Sequence, residues 1–242
     1  MTGKERWRRL GSLPWLLSQG RDAWVDARTA FSRAPFARDY RGIRPYTMCG
    51  AARLRGLYRA VERIVREDIP GGLVECGTAR GGSAALMGLA LKRLHADRAL
   101  WVFDTFDGLP PPTEADGDPE ITEPYTGRCR SSLGEVSALF GRLGVGARAH
   151  LVRGLFRETL PTADTGPIAL LHIDCDWYES VKACLEHLYD RVSPGGLVHI
   201  DDYGHWAGAR KAVDEFRHRR AIRVPLRRLD YTGRQLIKPT EP

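Results

Sequence analysis

The stretch Leu73-Val74-Glu75-Cys76-Gly77-Thr78-Ala79-Arg80-Gly81-Gly82-Ser83 sets the reading of the whole chain. An apolar strand ends on an acid, turns on glycine and passes into a helix, so backbone N–H groups at a helix start face a possible ligand. The same alternation continues downstream. Strands are expected at 99–104 (ALWVFD), 149–153 (AHLVR), 168–174 (IALLHID) and 196–201 (GLVHID). Helices are expected at about 82–95, 131–143, 178–190 and 208–220. Strands spaced by helices of that length form βαβ units and a parallel sheet. The pieces 222–229 (IRVPLRRL) and 234–238 (RQLIK) bring the strands to seven. The expected fold is therefore α/β, a doubly wound, mostly parallel, seven-stranded Rossmann-like sheet with an N-terminal helical extension.

Upstream of the turn, Leu54, Leu57, Tyr58, Val61, Ile64 and Val65 recur at helical spacing within 50–67, with Arg and Glu on the other face. Ile69-Pro70-Gly71-Gly72 ends that helix. Residues 1–45 carry Trp7, Trp15 and Trp24 among arginines, broken by Pro14, Pro35 and Pro45. They read as an arm or short helices, with the domain proper taken as 46–242. Residues 1–66 hold 15 Lys and Arg against 5 Asp and Glu, and the remainder 22 against 25. The net charge of +7 thus belongs to the N-terminal segment, and a general nucleic-acid surface is not indicated. The arm is a candidate for peripheral contact with a membrane or partner.

No uncharged stretch exceeds 11 residues, well short of the roughly 20 that a membrane span needs, and no signal-peptide pattern is read. Cys49, Cys76, Cys129, Cys175 and Cys184 are widely spaced without a C-x-x-C pair. That suits a reducing cytoplasm rather than a disulfide framework or a structural zinc site. The loop 105–128, rich in proline and acid, is read as a mobile lid.

Three constellations carry chemistry. Glu75, two residues before the first glycine, would repel a pyrophosphate but could accept a bond from an ammonium group, or else it caps a neighbouring turn. Asp104 ends the second strand, where an acid can hold ribose hydroxyls, or serve as a turn cap. His172-Ile173-Asp174-Cys175-Asp176 and His199-Ile200-Asp201-Asp202 end two later strands. In a parallel sheet both ends lie on one rim, which gathers Asp174, Asp201 and Asp202 with Asp176 close by. Carboxylates so gathered repel, and a hard divalent cation such as Mg²⁺ relieves that conflict; solvated helix caps are the alternative.

Tyr46-Thr47-Met48, the run from Val61-Glu62 through Ile69 to Ser83, Trp101-Val102-Phe103-Asp104-Thr105-Phe106-Asp107-Gly108-Leu109-Pro110, Gly154 to Pro161, Ile173 to Ser180 and Ser193 to Gly204 together resemble the macrocin O-methyltransferase family. The resemblance implies a class I, S-adenosylmethionine- and metal-dependent enzyme that methylates a hydroxyl of a small molecule, often a sugar of a natural product. It implies that Glu75, Gly77, Arg80, Gly81, Gly82 and Ser83 form the cofactor turn. Asp104, with Thr105 and Phe106, then meets the ribose, and Gly154 to Phe156 lie near the adenine. Asp174, Asp201 and Asp202 would hold Mg²⁺, and Met48 would border the acceptor pocket.

Asp174 is the first choice of catalytic base and His205 the second, while Tyr178 and Trp206 are candidate walls for the acceptor. A homodimer or larger homo-oligomer is expected, without nucleic acid. Two alternatives are a nicotinamide-dependent oxidoreductase, whose turn should lack Glu75, and an RNA methyltransferase using the basic arm.

Overall fold

Alternation along the strands decides which side of the sheet each residue meets. In the computed structural model, which describes residues 25–29 and 31–240, β1 (Gly72–Cys76), β2 (Leu100–Asp104), β3 (Ala149–Arg153), β4 (Ile168–Ile173) and β5 (Val192–Ile200) are parallel. The two-residue β6 (Arg227–Arg228) and β7 (Arg234–Ile237) complete seven strands in the order β3-β2-β1-β4-β5-β7-β6, with β7 antiparallel to β5. Leu73, Leu100, Leu170 and Leu197 face a core built with α1 (Pro35–Ile43), α2 (Ala51–Arg66), α3 (Gly82–Arg93) and α4 (Leu133–Leu143). Val74, Phe103, Leu171 and Val198 face the other core, with α5 (Tyr178–Leu188) and α6 (Ala207–Arg219). A period of two sends neighbours to opposite faces, so Glu75, His172 and His199 fall on the same face as Leu73, Leu170 and Leu197. Burying each of those leucines contributes roughly 1.5–3 kcal/mol.

The expected elements are present with two differences. The piece 222–229 keeps only two strand residues, because Pro225 has no N–H to give a ladder. Strand β5 begins at Val192, earlier than 196: its Ser193-Pro194-Gly195-Gly196 bulges, and pairing with β4 resumes at Leu197. Residues 1–45, read as an arm or short helices before the domain, are helical at α1 in their described part and pack onto it. Phe36, Tyr40 and Ile43 of α1 are buried with Leu54, Leu57 and Ile64 of α2, because their spacing along α1 forms one apolar stripe. Residues 1–24, with Trp7, Trp15 and Trp24, lie outside the described residues.

Bonds just beyond the strands fix the rim. Gly77 N–H donates to Phe103 O at 2.8 Å, Asp174 N–H to Cys76 O at 2.9 Å and Asp201 N–H to Ile173 O at 2.9 Å. Gly77 has φ +85°, and a Cβ there would collide with the carbonyl oxygen of Asp174. Only glycine lets the turn lie this close to the next strand. Gly77→Ala should therefore cost about 2–4 kcal/mol and lower Tm by roughly 5–15 °C in a calorimetric melt.

Candidate active site

A cavity of about 900 Å³ opens at the carboxyl ends of the strands. That is near the top of the range of small-molecule sites, roughly 300–1,000 Å³. Its wall includes Gly77, Arg80, Ser83, Asp104, Thr105 and Phe156 from the expected cofactor set, Met48 from the expected acceptor set, and Asp174, Asp201 and Asp202. Asp104 Oδ2 accepts from the N–H groups of Thr78 (2.7 Å) and Ala79 (3.2 Å), and Oδ1 from that of Phe106 (2.8 Å). Burial pushes its pKa up against the pull of these donors. The carboxylate thus fastens the glycine turn to β2 while facing the cavity.

Several expected residues lie elsewhere. Glu75 is fully buried, with Oε2 accepting from Thr78 Oγ1 at 2.6 Å and Oε1 2.8 Å from His172 Nδ1. Strand alternation aims it at the face toward α1–α4, where those two partners occupy its oxygens. Gly81 and Gly82 are not in the cavity wall. Gly82 gives room to the chain at Tyr46 and Thr47, which a Cβ would strike. Phe106 is buried in the core beside α3, and Gly154 lies outside the wall that Leu155 and Phe156 form.

His205, Tyr178 and Trp206 lie outside the cavity wall. His205 is exposed with its ring 4.7 Å from that of Trp206, and does not line the cavity. Tyr178 starts α5 and turns outward, its hydroxyl donating to Glu215 Oε2 at 2.6 Å. Trp206 is buried between Trp177 and Tyr125, and its indole N–H donates to Asp176 Oδ1 at 2.5 Å. It supports an acid rather than forming the wall.

The rim electrostatics rest on burial. Burial, then Asp201 and Asp202, push the pKa of Asp174 well above the usual carboxylate range. Burial, with Asp176 and Asp201, does the same to Asp202. Burial also raises Asp176 to about 6 against the pull of the Trp206 indole. Asp201 goes the other way: burial opposes its charge, but Arg53 and His172 hold it below the usual range. His172 is pushed up to about 10, since Asp201 and Glu75 outweigh its burial, and it is a cation between them. Burial and that cation push His199 down to about 3.

Ligand-type atoms of Cys49, Asp174 and Asp201 all lie within 4.8 Å of one another, whereas Asp202 stands outside that group, accepting from the Asp176 N–H at 3.2 Å. The Cys49 thiol is held protonated by burial and by both acids. The donors left are carboxylate oxygens with more negative charge than Arg53 and His172 balance. That chemistry fits a hard divalent cation.

Cys49, Arg53 and Asp116 belong to this cavity and were not among the expected site residues, and Asp176, expected close by the other acids, lines it too. The sequence signal for Asp176 was its place in Asp174-Cys175-Asp176; Arg53 and Asp116 had none. Asp116 lies in the segment expected to be mobile. It is buried, and Oδ1 accepts the Tyr178 N–H at 2.6 Å while Oδ2 accepts the Thr113 N–H at 2.8 Å. It thereby serves an orphan donor in the first turn of α5. Trp177 Nε1–H donates to Pro110 O at 2.8 Å, and the Tyr125 and Trp206 rings meet at 4.9 Å. The segment is riveted in three places.

The macrocin-O-methyltransferase (TylF) family profile matches residues 19–237. The chain is 39% identical over 197 residues to the 8-demethyl-8-(2,3-dimethoxy-alpha-L-rhamnosyl)-tetracenomycin-C 4'-O-methyltransferase of Streptomyces olivaceus, covering 78% of this chain and 74% of that protein. It is 35% identical over 195 residues to the mycinamicin III 3''-O-methyltransferase of Micromonospora griseorubida, covering 78% and 76%. The solved O-methyltransferase NovP superposes with a TM-score of 0.74 at 34% identity, over 80% of this chain and 82% of that one.

Asp116→Ala should unpin the segment 105–128 by about 1–3 kcal/mol. Limited proteolysis should then cut within it, with S-adenosylhomocysteine affinity changed less than threefold, a small effect in free energy.

Proposed function

Since the chain belongs to the macrocin-O-methyltransferase family and is an S-adenosylmethionine-dependent O-methyltransferase, we propose that it methylates a sugar hydroxyl of a natural-product glycoside with the help of Mg²⁺. The rhamnosyl group in the relative's name supports the acceptor class. One observation carries the reading: a single cavity joins the glycine turn and Asp104 to the acids Asp174, Asp176, Asp201 and Asp202. Donor and acceptor thus share one chamber.

Gly77, Arg80, Ser83 and Asp104 bind the donor, the glycine turn offering backbone and Asp104 offering acceptors for hydroxyls. Leu155 and Phe156 cover its base. Asp174 and Asp201, whose ligand atoms lie within 4.8 Å of each other, would hold the cation with Asp202 beside them, and the cation would supply Lewis acidity that lowers the pKa of a nearby hydroxyl. A protonated hydroxyl is a poor nucleophile, so a base must take its proton. Asp176 suits that role beside Asp174, the base expected from the sequence: it lines the cavity next to Asp174, and one of its oxygens is fixed by the Trp206 indole. Alignment of the two reactants in one chamber can supply roughly 7–11 kcal/mol. Met48, which is 73% exposed, and Thr47 sit at the mouth, where the acceptor enters.

Asp176→Asn should lower kcat by about 10²–10⁴-fold with S-adenosylhomocysteine affinity unchanged. Incubation with EDTA should abolish turnover, and Mg²⁺ should restore it and raise Tm in the presence of S-adenosylhomocysteine. Undiminished turnover after EDTA would remove the cation from the proposal.

A further inference from the structure

Arg53 is the one cation of α2 that reaches the rim. Its side chain is 18% exposed, and its guanidinium forks between two buried acids. NH1 pairs with Asp201 Oδ2, and Nε donates to Asp230 Oδ2 at 2.8 Å. NH1 also lies 4.0 Å from Cys49 Sγ. Asp230 sits outside the cavity, in the turn before β7, where its other oxygen accepts from the N–H groups of Thr232 (3.0 Å) and Gly233 (2.6 Å). The guanidinium is therefore anchored through Nε to a turn held by its own hydrogen bonds.

Asp201 Oδ2, the oxygen that Arg53 takes, also lies 3.6 Å from Cys49 Sγ, which is itself 3.9 Å from Asp174 Oδ2. It is the oxygen facing the gap between Asp201 and Asp174. An ion entering that gap meets a permanent positive charge already seated there, since arginine does not give up its proton in proteins.

We infer that Arg53 is a built-in counter-ion, which holds Asp201 in position and competes with a divalent cation for its Oδ2 oxygen. The proposal rests on the Mg²⁺ reading of the same rim. When the cation is absent, Arg53 keeps Asp201 ionised and oriented. When the cation binds, Nε stays on Asp230 and NH1 yields the shared oxygen. Arg53 is a positioning residue, and its charge sets how tightly the rim takes a cation. Like charges repel, so removing it strengthens cation binding; an arginine that served only to hold the fold would, when replaced, weaken that binding or leave it alone.

Mn²⁺ binding to the full chain, with S-adenosylhomocysteine present, is measured by calorimetry and by the loss of the free-ion paramagnetic resonance signal. Arg53→Gln should bind Mn²⁺ about tenfold tighter than the unsubstituted protein. Arg53→Lys keeps the charge but cannot fork to both acids, and should bind about threefold tighter. Thermal melts identify which variants are folded, and Arg53→Lys alone carries the test if Arg53→Gln is not. If the unsubstituted protein binds Mn²⁺ and the folded variants bind it no tighter, the Arg53 proposal is overturned and the Mg²⁺ reading stands. If only the variants bind it, Arg53 is the rim's resident cation and the Mg²⁺ reading falls. If none binds, both fall.

Discussion

Backbone ladders that continue one residue past β1, β4 and β5 are the constraint on which the site depends. Gly77, Asp174 and Asp201 each donate an N–H to the neighbouring strand just where regular pairing ends. Side chains that follow such a bond have no freedom to drift, because the main chain beneath them is part of the sheet. The acids are thereby held close enough to oppose each other's ionisation, an expense that a soft loop would relieve by moving apart. Here the sheet does not yield, so the conflict is answered with counter-charge: His172 from one side, Arg53 from another.

This gives the sheet two roles on its two faces. The face toward α5 and α6 is apolar throughout its buried extent near β4 and β5. The other face carries a polar thread, Thr78–Glu75–His172–Asp201–Arg53–Asp230, through an otherwise apolar layer. The links are hydrogen bonds and ion pairs, buried from Thr78 to Asp201 and part-buried at Arg53. Breaking one partner of such a pair leaves its mate uncompensated, at about 3–5 kcal/mol, so the thread resists piecemeal change. It joins the glycine turn, the rim and the C-terminal strands into one electrostatic unit.

The fold was legible because the alternation of strand and helix is written in apolar spacing, and because a parallel sheet must collect its carboxyl ends on one rim. Asp174, Asp201 and Asp202 follow from that rule alone. What the pattern could not show is direction. Arg53 falls on the polar side of α2 in any helical reading, yet an acid from β5 and another from the β6–β7 turn bury it. Glu75 was legible as an acid in the right turn, but its cross-strand neighbour His172 claims it. Tyr178 and Trp206 stand beside the rim in sequence and still point elsewhere, since helix starts at α5 and α6 rotate them to Glu215 and Asp176. Asp116 sits in a loop without periodicity, where only three-dimensional contact reveals its anchor.

Asp230 lies in the turn between β6 and β7, so the pairing of β7 on β5 carries the acid that steadies Arg53. Fraying of that C-terminal edge would loosen the rim although no rim acid belongs to it.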